Sequence, residues 1–279
     1  MALGGLIIPL AKKQEEPTAP TFSTKDIESW ITEGNSVNSE ICALYVGLPK
    51  TTKTGCSLDC RTPEEIADGK KIWVLELNSD NGSKINKKVF WKDDPSIIVI
   101  DPREFSVDEI TGDWNFDYIR TMAKIKAFLM YLKQNYKRLN TKAIVVDGID
   151  VLLSEICENQ LRMEKNLDAA GGVMMSFWKI RNKYFYDIMN MLFTIDCDKY
   201  LITHYKEDFD NKKLIYSVQK DLPDKLHNIV EFRKDEKTNK FYAKVVADRR
   251  DRPDLLGKEF CTMESDPVTG KKIWHGFKL

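Results

Sequence analysis

Eight consecutive residues, Gly47 to Thr54, follow the pattern G-x-x-x-x-G-K-[ST] at every fixed position except one. In loops of this pattern, backbone N–H groups surround phosphate oxygens, a lysine reaches the terminal phosphates and a hydroxyl binds Mg²⁺. Lys53 and Thr54 supply the last two groups. Thr52 stands in place of the second glycine, and a β-branched residue forced to a positive φ angle is strained by roughly 1–3 kcal/mol. The sequence predicts a phosphate-binding loop whose affinity is weakened on the order of tenfold or more.

The flanking residues place this loop between a strand and a helix. Cys42 to Val46 is a short apolar run typical of a buried strand, and residues 54–60 can begin a helix before Pro63. The predicted phosphate contacts are Gly47, Pro49, Lys50, Thr51, Thr52, Lys53, Thr54 and Gly55. The alternative interpretation is a polar strand-to-helix turn that binds no ligand.

A second apolar run, Lys142 to Asp147, ends in a carboxylate and has the form of a Walker B strand. An aspartate at this position orders the Mg²⁺ shell, and we expect its strand to lie beside the strand that precedes the loop. Thr54 and Asp147 are therefore the predicted metal ligands. The alternative interpretation of Asp147, considered alone, is an aspartate that caps the next helix, and the pairing with the loop favours Mg²⁺. Asp150 is predicted to cap the next helix or to position water.

Composition limits the class of protein. The chain has 279 residues, 42% of them hydrophobic, and contains no apolar segment long enough to span a membrane. Six cysteines without paired spacing favour a reducing compartment, so we predict a cytoplasmic protein. The 43 basic and 43 acidic residues balance, which gives no global electrostatic support for strong nucleic-acid binding and leaves a local basic patch open.

Hydrophobic periodicity predicts the remaining elements. Further core strands are predicted at Lys71–Leu77, Ser96–Asp101 and Lys199–His204, and shorter ones at Leu214–Val218, Asn228–Phe232 and Phe241–Val246. Helices are predicted at 115–138, with Asp113 or Asn115 as its cap, at 154–168, and at Met174–Phe193 after a break at Ala169–Gly172. Lys237 to Asn239 is the predicted turn between the last two strands.

The order of these elements resembles the RecA/RadA-like ATPase core, in particular the compact single-domain ATPases carried by phages and archaeal viruses. A viral source would place the protein in the host cytoplasm. The resemblance covers about Glu40 to Asp254, and its specific motif is the P-loop. It implies an α/β fold with a mainly parallel central sheet, flanking helices and a C-terminal antiparallel hairpin. Residues 1–39 are then an N-terminal arm and linker with Pro17 and Pro20, residues 40–254 the ATPase core, and residues 255–279 a C-terminal extension.

The resemblance also implies cofactors and roles. ATP and Mg²⁺ are expected at Lys53, Thr54 and Asp147, and His204 lies where relatives sense the γ-phosphate from a strand end. Relatives activate the attacking water with a glutamate just after the second strand. Here Glu76 comes slightly early and Asp80 slightly late, with Asn78 between them, and this departure from the pattern argues for slow hydrolysis.

Two arginines complete the implied site. In RecA-like rings and filaments a basic residue after the last core strands reaches the nucleotide of the neighbouring subunit, and Arg249 or Arg250 occupies that place. A homo-oligomer is thereby implied. The alternative is that the arginines pair with neighbouring aspartates on a solvated turn. Phe22 to Lys25 faintly resembles the aromatic anchor that links recombinase subunits.

The predicted function is an ATP-hydrolysing enzyme that acts on single-stranded DNA in recombination, repair or replication. Two other classes fit the same residues. A packaging or helicase-like motor would hydrolyse ATP quickly and respond to duplex DNA. A structural or loader protein with a degenerate P-loop would bind ATP and barely hydrolyse it, and Thr52 favours that class.

Overall fold

The computed structural model describes residues 40–107, 111–167, 175–208, 213–250, 252–266 and 269–279. The predicted N-terminal arm at 1–39, with Phe22 to Lys25, lies outside the described residues, and so does the predicted helix break at Ala169 to Gly172.

A nine-stranded sheet forms the centre of the molecule. In chain order the strands are β1 (Cys42–Gly47), β2 (Lys71–Glu76), β3 (Ile97–Ile100), β4 (Phe105–Val107), β5 (Trp114–Phe116), β6 (Thr141–Asp147), β7 (Asp198–Thr203), β8 (Tyr205–Asp208), β9 (Lys213–Tyr216), β10 (Asn228–Asp235), β11 (Lys240–Asp248), β12 (Glu259–Ser265) and β13 (Lys272–Trp274). The order in the sheet is β13-β12-β11-β10-β1-β7-β6-β2-β3, and β4–β5 and β8–β9 form separate two-stranded ribbons. The six strands from β10 to β3 run parallel, whereas β11, β12 and β13 are antiparallel to their neighbours.

Helices connect the parallel strands. They are α1 (Lys53–Leu58), α2 (Pro63–Ala67), α3 (Gly82–Trp91), α4 (Tyr118–Asn135), α5 (Ile149–Val151), α6 (Cys157–Lys165) and α7 (Met175–Phe193). A π-helical segment, Leu152–Ile156, joins α5 to α6, and a 3-10 turn, Pro223–Lys225, precedes β10.

The predicted fold class is confirmed: a mainly parallel sheet, flanking helices and C-terminal antiparallel strands. Two details of the prediction were wrong. β7 lies between β1 and β6, so the strand that ends in Asp147 is not adjacent to the strand of the loop. The cap of α4 is Asp117, whose side chain accepts a hydrogen bond from the Arg120 N–H, and not Asp113 or Asn115; Asn115 belongs to β5.

The sheet separates two apolar layers, because successive residues of a strand face opposite sides. In β1, Leu44 and Val46 pack with the helices α4 and α7, whereas Ala43 and Tyr45 face α1 and Phe277, which follows β13. All four β1 residues are inaccessible to solvent. Strands buried on both faces explain the continuous apolar runs in the sequence.

Residues 255–279 continue the sheet of the core. β12 pairs with β11, β13 pairs with β12, and Phe277 is buried against Tyr45. The sheet therefore continues beyond β10 through β11, β12 and β13. These C-terminal strands lie close to the predicted loop.

Candidate functional site

The loop between β1 and α1 is tightly wound. Thr51 donates its hydroxyl proton to the Leu48 carbonyl oxygen at 2.7 Å. Lys50 and Thr52 both have positive φ angles, 62° and 68°. Gly47 has no room for a side chain, because a Cβ atom there would lie 2.5 Å from the Phe232 carbonyl oxygen. The left-handed conformation that the sequence analysis considered for position 52 is the one observed.

Lys53 points into this loop. Its ammonium donates hydrogen bonds to the carbonyl oxygens of Gly47, at 3.0 Å, and Leu48, at 2.7 Å. The residue is only 4% exposed. Burial lowers the pKa of Lys53 to about 8, against the opposing effect of the nearby carboxylates of Asp147, Asp150 and Asp80. A cation is thus held where the loop would surround an anion.

The predicted metal ligands meet each other. The Thr54 hydroxyl donates to Asp147 Oδ2 at 2.9 Å, although the two residues are 93 positions apart. The Ser83 hydroxyl donates to the same oxygen at 2.9 Å, and the Asn78 amide donates to Oδ1 at 3.0 Å. Burial raises the pKa of Asp147, and the hydroxyls of Thr54 and Ser83 oppose this effect. The parallel strands end at one edge of the sheet, which is why these groups converge although β7 separates β1 from β6.

Sequence reasoning missed Ser83. The only signal was the Asn81-Gly82 pair, which marks the turn into α3. That turn brings the Ser83 backbone N–H within 2.7 Å of Glu76 Oε2 and its hydroxyl onto Asp147.

Glu76 ends β2 and is paired in register with Asp147 on the neighbouring strand β6. It is inaccessible to solvent, and burial together with the Asp147 carboxylate raises its pKa to about 7. Three clefts among the described residues include Pro49 of the loop, and Glu76 lines none of them, whereas Asn78 and Asp80 line two. The role of Glu76 as the base that activates water stays a prediction, and in this geometry Asp80 is the more accessible carboxylate.

His204 and Asp150 form a pair. His204 Nδ1 lies 2.9 Å from Asp150 Oδ2, and His204 lines the same two clefts as Asn78 and Asp80. The expected capping role of Asp150 was wrong, since Gly148 occupies the N-cap of α5. Oδ1 of Asp150 is buried and has no hydrogen-bond partner among the described residues. The pair therefore orients the imidazole ring with Nδ1 toward Asp150.

A cleft of about 470 Å³ contains all the predicted loop contacts except Gly47. Its lining residues are Pro49, Lys50, Thr51, Thr52, Lys53, Thr54, Gly55, Asn78, Asp80, Gly82, Ile85, Asn86, Phe90, Asp147, His204, Met263 and Lys272. The volume lies in the range of ~300–1,000 Å³ that small-molecule sites occupy. The lining combines polar and charged side chains, among them Lys53 and Asp147, with the apolar side chains of Ile85, Phe90 and Met263. This combination suits a ligand with a charged part and a flat apolar part.

Arg249 and Arg250 follow the end of β11, beside the first residue of β10, and so lie at the opposite ends of the parallel strands from the loop. Asp248 pairs with Asn228 at the start of β10, so the arginines that follow are about one strand length, roughly 15 Å, from the loop of their own chain. Arg249 donates to the Asp224 carbonyl oxygen and Arg250 to the Glu40 carbonyl oxygen. They cannot reach their own loop, and any contact with a nucleotide has to be made with that of another subunit.

Comparisons with known proteins give little beyond this geometry. No protein-family model matches the chain, and no curated protein does. Solved structures do match, and one of them is the KaiC-like protein PH0186 from the hyperthermophilic archaeon Pyrococcus horikoshii OT3. That match has 14% sequence identity and a TM-score of 0.47, and it covers 84% of this chain and 88% of the other. Among the described helices, none is long and apolar enough to cross a membrane.

Proposed function

We propose that this chain is a RecA-like P-loop ATPase that binds ATP with Mg²⁺ in the cleft between the loop, α3 and the ends of β6 and β7. The observation that carries the proposal is that Lys53, Thr54 and Asp147 line the same cleft, with the Thr54 hydroxyl bonded to the Asp147 carboxylate. A lysine, a hydroxyl and a carboxylate in this arrangement are the groups that a triphosphate with its metal needs. A polar turn without a ligand would have no reason to bury an ammonium.

The residues present fit a magnesium ion. Thr54 Oγ1 and Asp147 Oδ2 lie 2.9 Å apart and are both oxygen ligands for a metal ion. Mg²⁺ prefers oxygen ligands and retains several of its water molecules when bound to a protein. Asp147 would act through its carboxylate, and Ser83 and Asn78 hold that carboxylate in place. Bound Mg²⁺ would neutralise negative charge on the terminal phosphates.

Lys53 exchanges partners when the nucleotide binds. In the free protein its ammonium is satisfied by the carbonyls of Gly47 and Leu48. Phosphate oxygens offer charge-assisted hydrogen bonds, which are roughly twice as strong as bonds between neutral groups. The ammonium is therefore expected to turn from the carbonyls to the phosphates.

This exchange predicts a pH dependence. Burial lowers the pKa of Lys53 to about 8, and phosphate favours the charged form of its side chain, so affinity should fall as pH rises above 8. A loss of about tenfold per pH unit is expected until the pKa of the complex is reached. Calorimetric titration of Mg²⁺ and a non-hydrolysable ATP analogue between pH 7 and 9.5 measures it. Lys53→Arg should give a flat profile, since arginine stays charged; a flat profile of the wild type would contradict the assignment.

His204 and Asp80 are the proposed groups that contact the reacting end of the triphosphate. Asp150 holds His204 Nδ1, which leaves Nε2 as the ring nitrogen available to a phosphate oxygen or to a water. Asp80 lines the cleft near Asp147 and is a second candidate to position the attacking water. Glu76 is buried behind them, and hydrolysis is therefore proposed to be slow.

The biological role that we propose is action on single-stranded DNA in recombination, repair or replication, in an assembly whose subunits share nucleotide sites. The support is the order of motifs in the sequence together with the distance of Arg249 and Arg250 from their own loop. A cytoplasmic location belongs to the same proposal.

A second function class is favoured by two observations. Thr52 adopts a left-handed conformation, and Glu76 does not face the cleft. Both are expected of a structural or loader protein that binds ATP and hydrolyses little of it. A fast, duplex-stimulated packaging or helicase-like motor fits these two observations less well.

ATP binding tests the proposal directly. Lys53→Ala should lower the affinity for a fluorescent ATP analogue with Mg²⁺ by at least about a hundredfold, because several charge-assisted hydrogen bonds are lost. The control is Lys133→Ala on the exposed side of α4, which changes the net charge equally and should leave affinity unchanged. Equal binding by wild type and Lys53→Ala would reject the site.

ATPase rates without DNA, with single-stranded DNA and with duplex DNA separate the function classes. Stimulation by single-stranded DNA supports the proposed role. Stimulation by duplex DNA with fast turnover indicates a motor. Tight binding of ATP with a low rate in all three conditions indicates the structural or loader class.

A further inference from the structure

Thr52 does not use its side chain as a threonine at the start of a helix usually does. It occupies the N-cap position of α1, where a hydroxyl normally accepts a hydrogen bond from a backbone N–H of the first turn. Here the side chain makes no capping hydrogen bond, and the backbone is left-handed, with φ 68° and ψ 5°. A β-branched residue rarely adopts this conformation unless its surroundings impose it.

The side chain of Thr52 is instead held by β12. The Thr52 and Thr262 hydroxyl oxygens are 2.9 Å apart, and Thr262 is fully buried. The Thr52 hydroxyl also lies 2.5 Å from the Thr51 carbonyl oxygen, and the Thr262 hydroxyl lies 3.3 Å from the Phe241 carbonyl oxygen. Each hydroxyl thus has a carbonyl acceptor besides the other hydroxyl, and either can donate in the contact between them. These contacts link the C-terminal strands to the backbone of the loop.

An irregularity in β12 directs Thr262 toward the loop. Phe241 pairs with Met263 and Tyr242 pairs with Cys261, so Thr262 is an extra residue in its strand. Bulges of this kind change the direction of a side chain and are fixed by their own hydrogen bonds. The carbonyl oxygen of Thr262 accepts bonds from the backbone N–H groups of His275, at 3.0 Å, and Gly276, at 3.1 Å.

The same strands contact the loop region at a second point. A Cβ atom added to Gly55 would lie 2.7 Å from the ring of Trp274, so the first turn of α1 is packed directly against β13. Trp274 also contacts the rings of Phe90 and Trp91 of α3. Met263 and Lys272 line the cleft itself. β12 and β13 thus form one wall of the site.

We propose that Thr262 is a positioning residue for the phosphate loop, which holds Thr52 in the left-handed conformation that a glycine would adopt without help. This inference rests on the proposed binding of ATP at the same loop. The C-terminal strands would in this way compensate for the absence of the second glycine of the motif.

A double-mutant cycle between positions 52 and 262 tests the inference, with affinity for a non-hydrolysable ATP analogue and Mg²⁺ as the readout. Thr262→Val keeps the shape of the side chain and removes the hydroxyl, and should weaken binding about fivefold to tenfold, the effect of one lost hydrogen bond. Thr262→Ser keeps the hydroxyl and should bind as the wild type does. Thr52→Gly should bind at least as tightly as the wild type, and adding Thr262→Val to it should change nothing, because glycine needs no support.

The result that would overturn the inference is an equal effect of Thr262→Val with threonine and with glycine at position 52, or no effect in either. Thermal unfolding checks that each variant is folded. If Thr262→Val does not fold, Thr52→Val removes the other hydroxyl without altering β12, and unchanged affinity of that variant would overturn the inference as well. Lys53→Ala is titrated alongside. If it binds like the wild type, the nucleotide site and this inference both fail; if it binds weakly while Thr262→Val is neutral, the inference alone fails.

Discussion

Asp147→Asn is expected to lower Mg²⁺-dependent ATP hydrolysis by about 10²–10³-fold, the usual effect of removing one group that stabilises charge in the transition state. The carboxylate is buried and accepts hydrogen bonds from Thr54, Ser83 and Asn78, so it is fixed in place before any ligand arrives. An asparagine has the same shape, but its NH₂ group cannot accept a hydrogen bond from the donors that face that side of Asp147. Asparagine also has no negative charge with which to attract the metal ion. Steady-state ATPase rates at increasing Mg²⁺ concentration measure the loss.

The matched control for this variant is Asp68→Asn, the same change at an exposed position just after α2. It should hydrolyse ATP at the wild-type rate. Binding of ATP in the presence of EDTA should be unaffected or slightly stronger in Asp147→Asn, since a negative charge near the phosphates is removed. An undiminished rate in Asp147→Asn would show that the metal, if one is used, is held elsewhere.

The local part of the site was predictable from the sequence. The loop and the Walker B strand are contiguous motifs, and the strain expected at Thr52 follows from side-chain shape alone. The observed φ of 68° agrees with that expectation. Strands of the parallel sheet were predictable as well, because they are buried on both faces and give uninterrupted apolar runs such as Cys42 to Val46.

The contacts that join distant segments were not predictable. Ser83 reaches Asp147 across 64 residues, and Thr262 reaches Thr52 across 210. The contact between Thr262 and Thr52 depends on a bulge in β12, and the sequence of that strand contains no pattern that predicts a bulge. The position of β7 between β1 and β6 also escaped prediction, because apolar runs reveal strands but not their order in the sheet. Asp150 was predicted to cap a helix or to position water, and its pairing with His204 was missed for the same reason, since the two residues are 54 positions apart.

The arginines lead to a second large effect, which depends on assembly. Arg249 and Arg250 lie one strand length away from their own loop, so alanine at either position should leave ATP binding to an isolated subunit unchanged. If one of them reaches a neighbour's γ-phosphate, alanine there should lower kcat by up to about 10³–10⁵-fold, whereas a surface ion pair contributes only ~0–1 kcal/mol. The rate of the wild type per subunit should then rise with protein concentration.

Mixing two inactive variants decides whether the arginines act between subunits. A Lys53→Ala chain lacks a working loop but keeps its arginines, and an Arg249→Ala, Arg250→Ala chain keeps its loop but lacks them. At a shared interface each chain supplies what the other lacks, so the mixture should recover a fraction of the wild-type rate, as expected for groups that act mainly on the transition state. Both arginines also hold backbone carbonyls of their own chain, at Asp224 and Glu40, so thermal unfolding of the arginine variant has to be compared with the wild type first. If the arginine variant is folded, two results together would contradict a role between subunits: no recovery of activity in the mixture, and a wild-type rate per subunit that does not depend on protein concentration. The arginines would then serve only to hold backbone segments of their own chain near the start of β10.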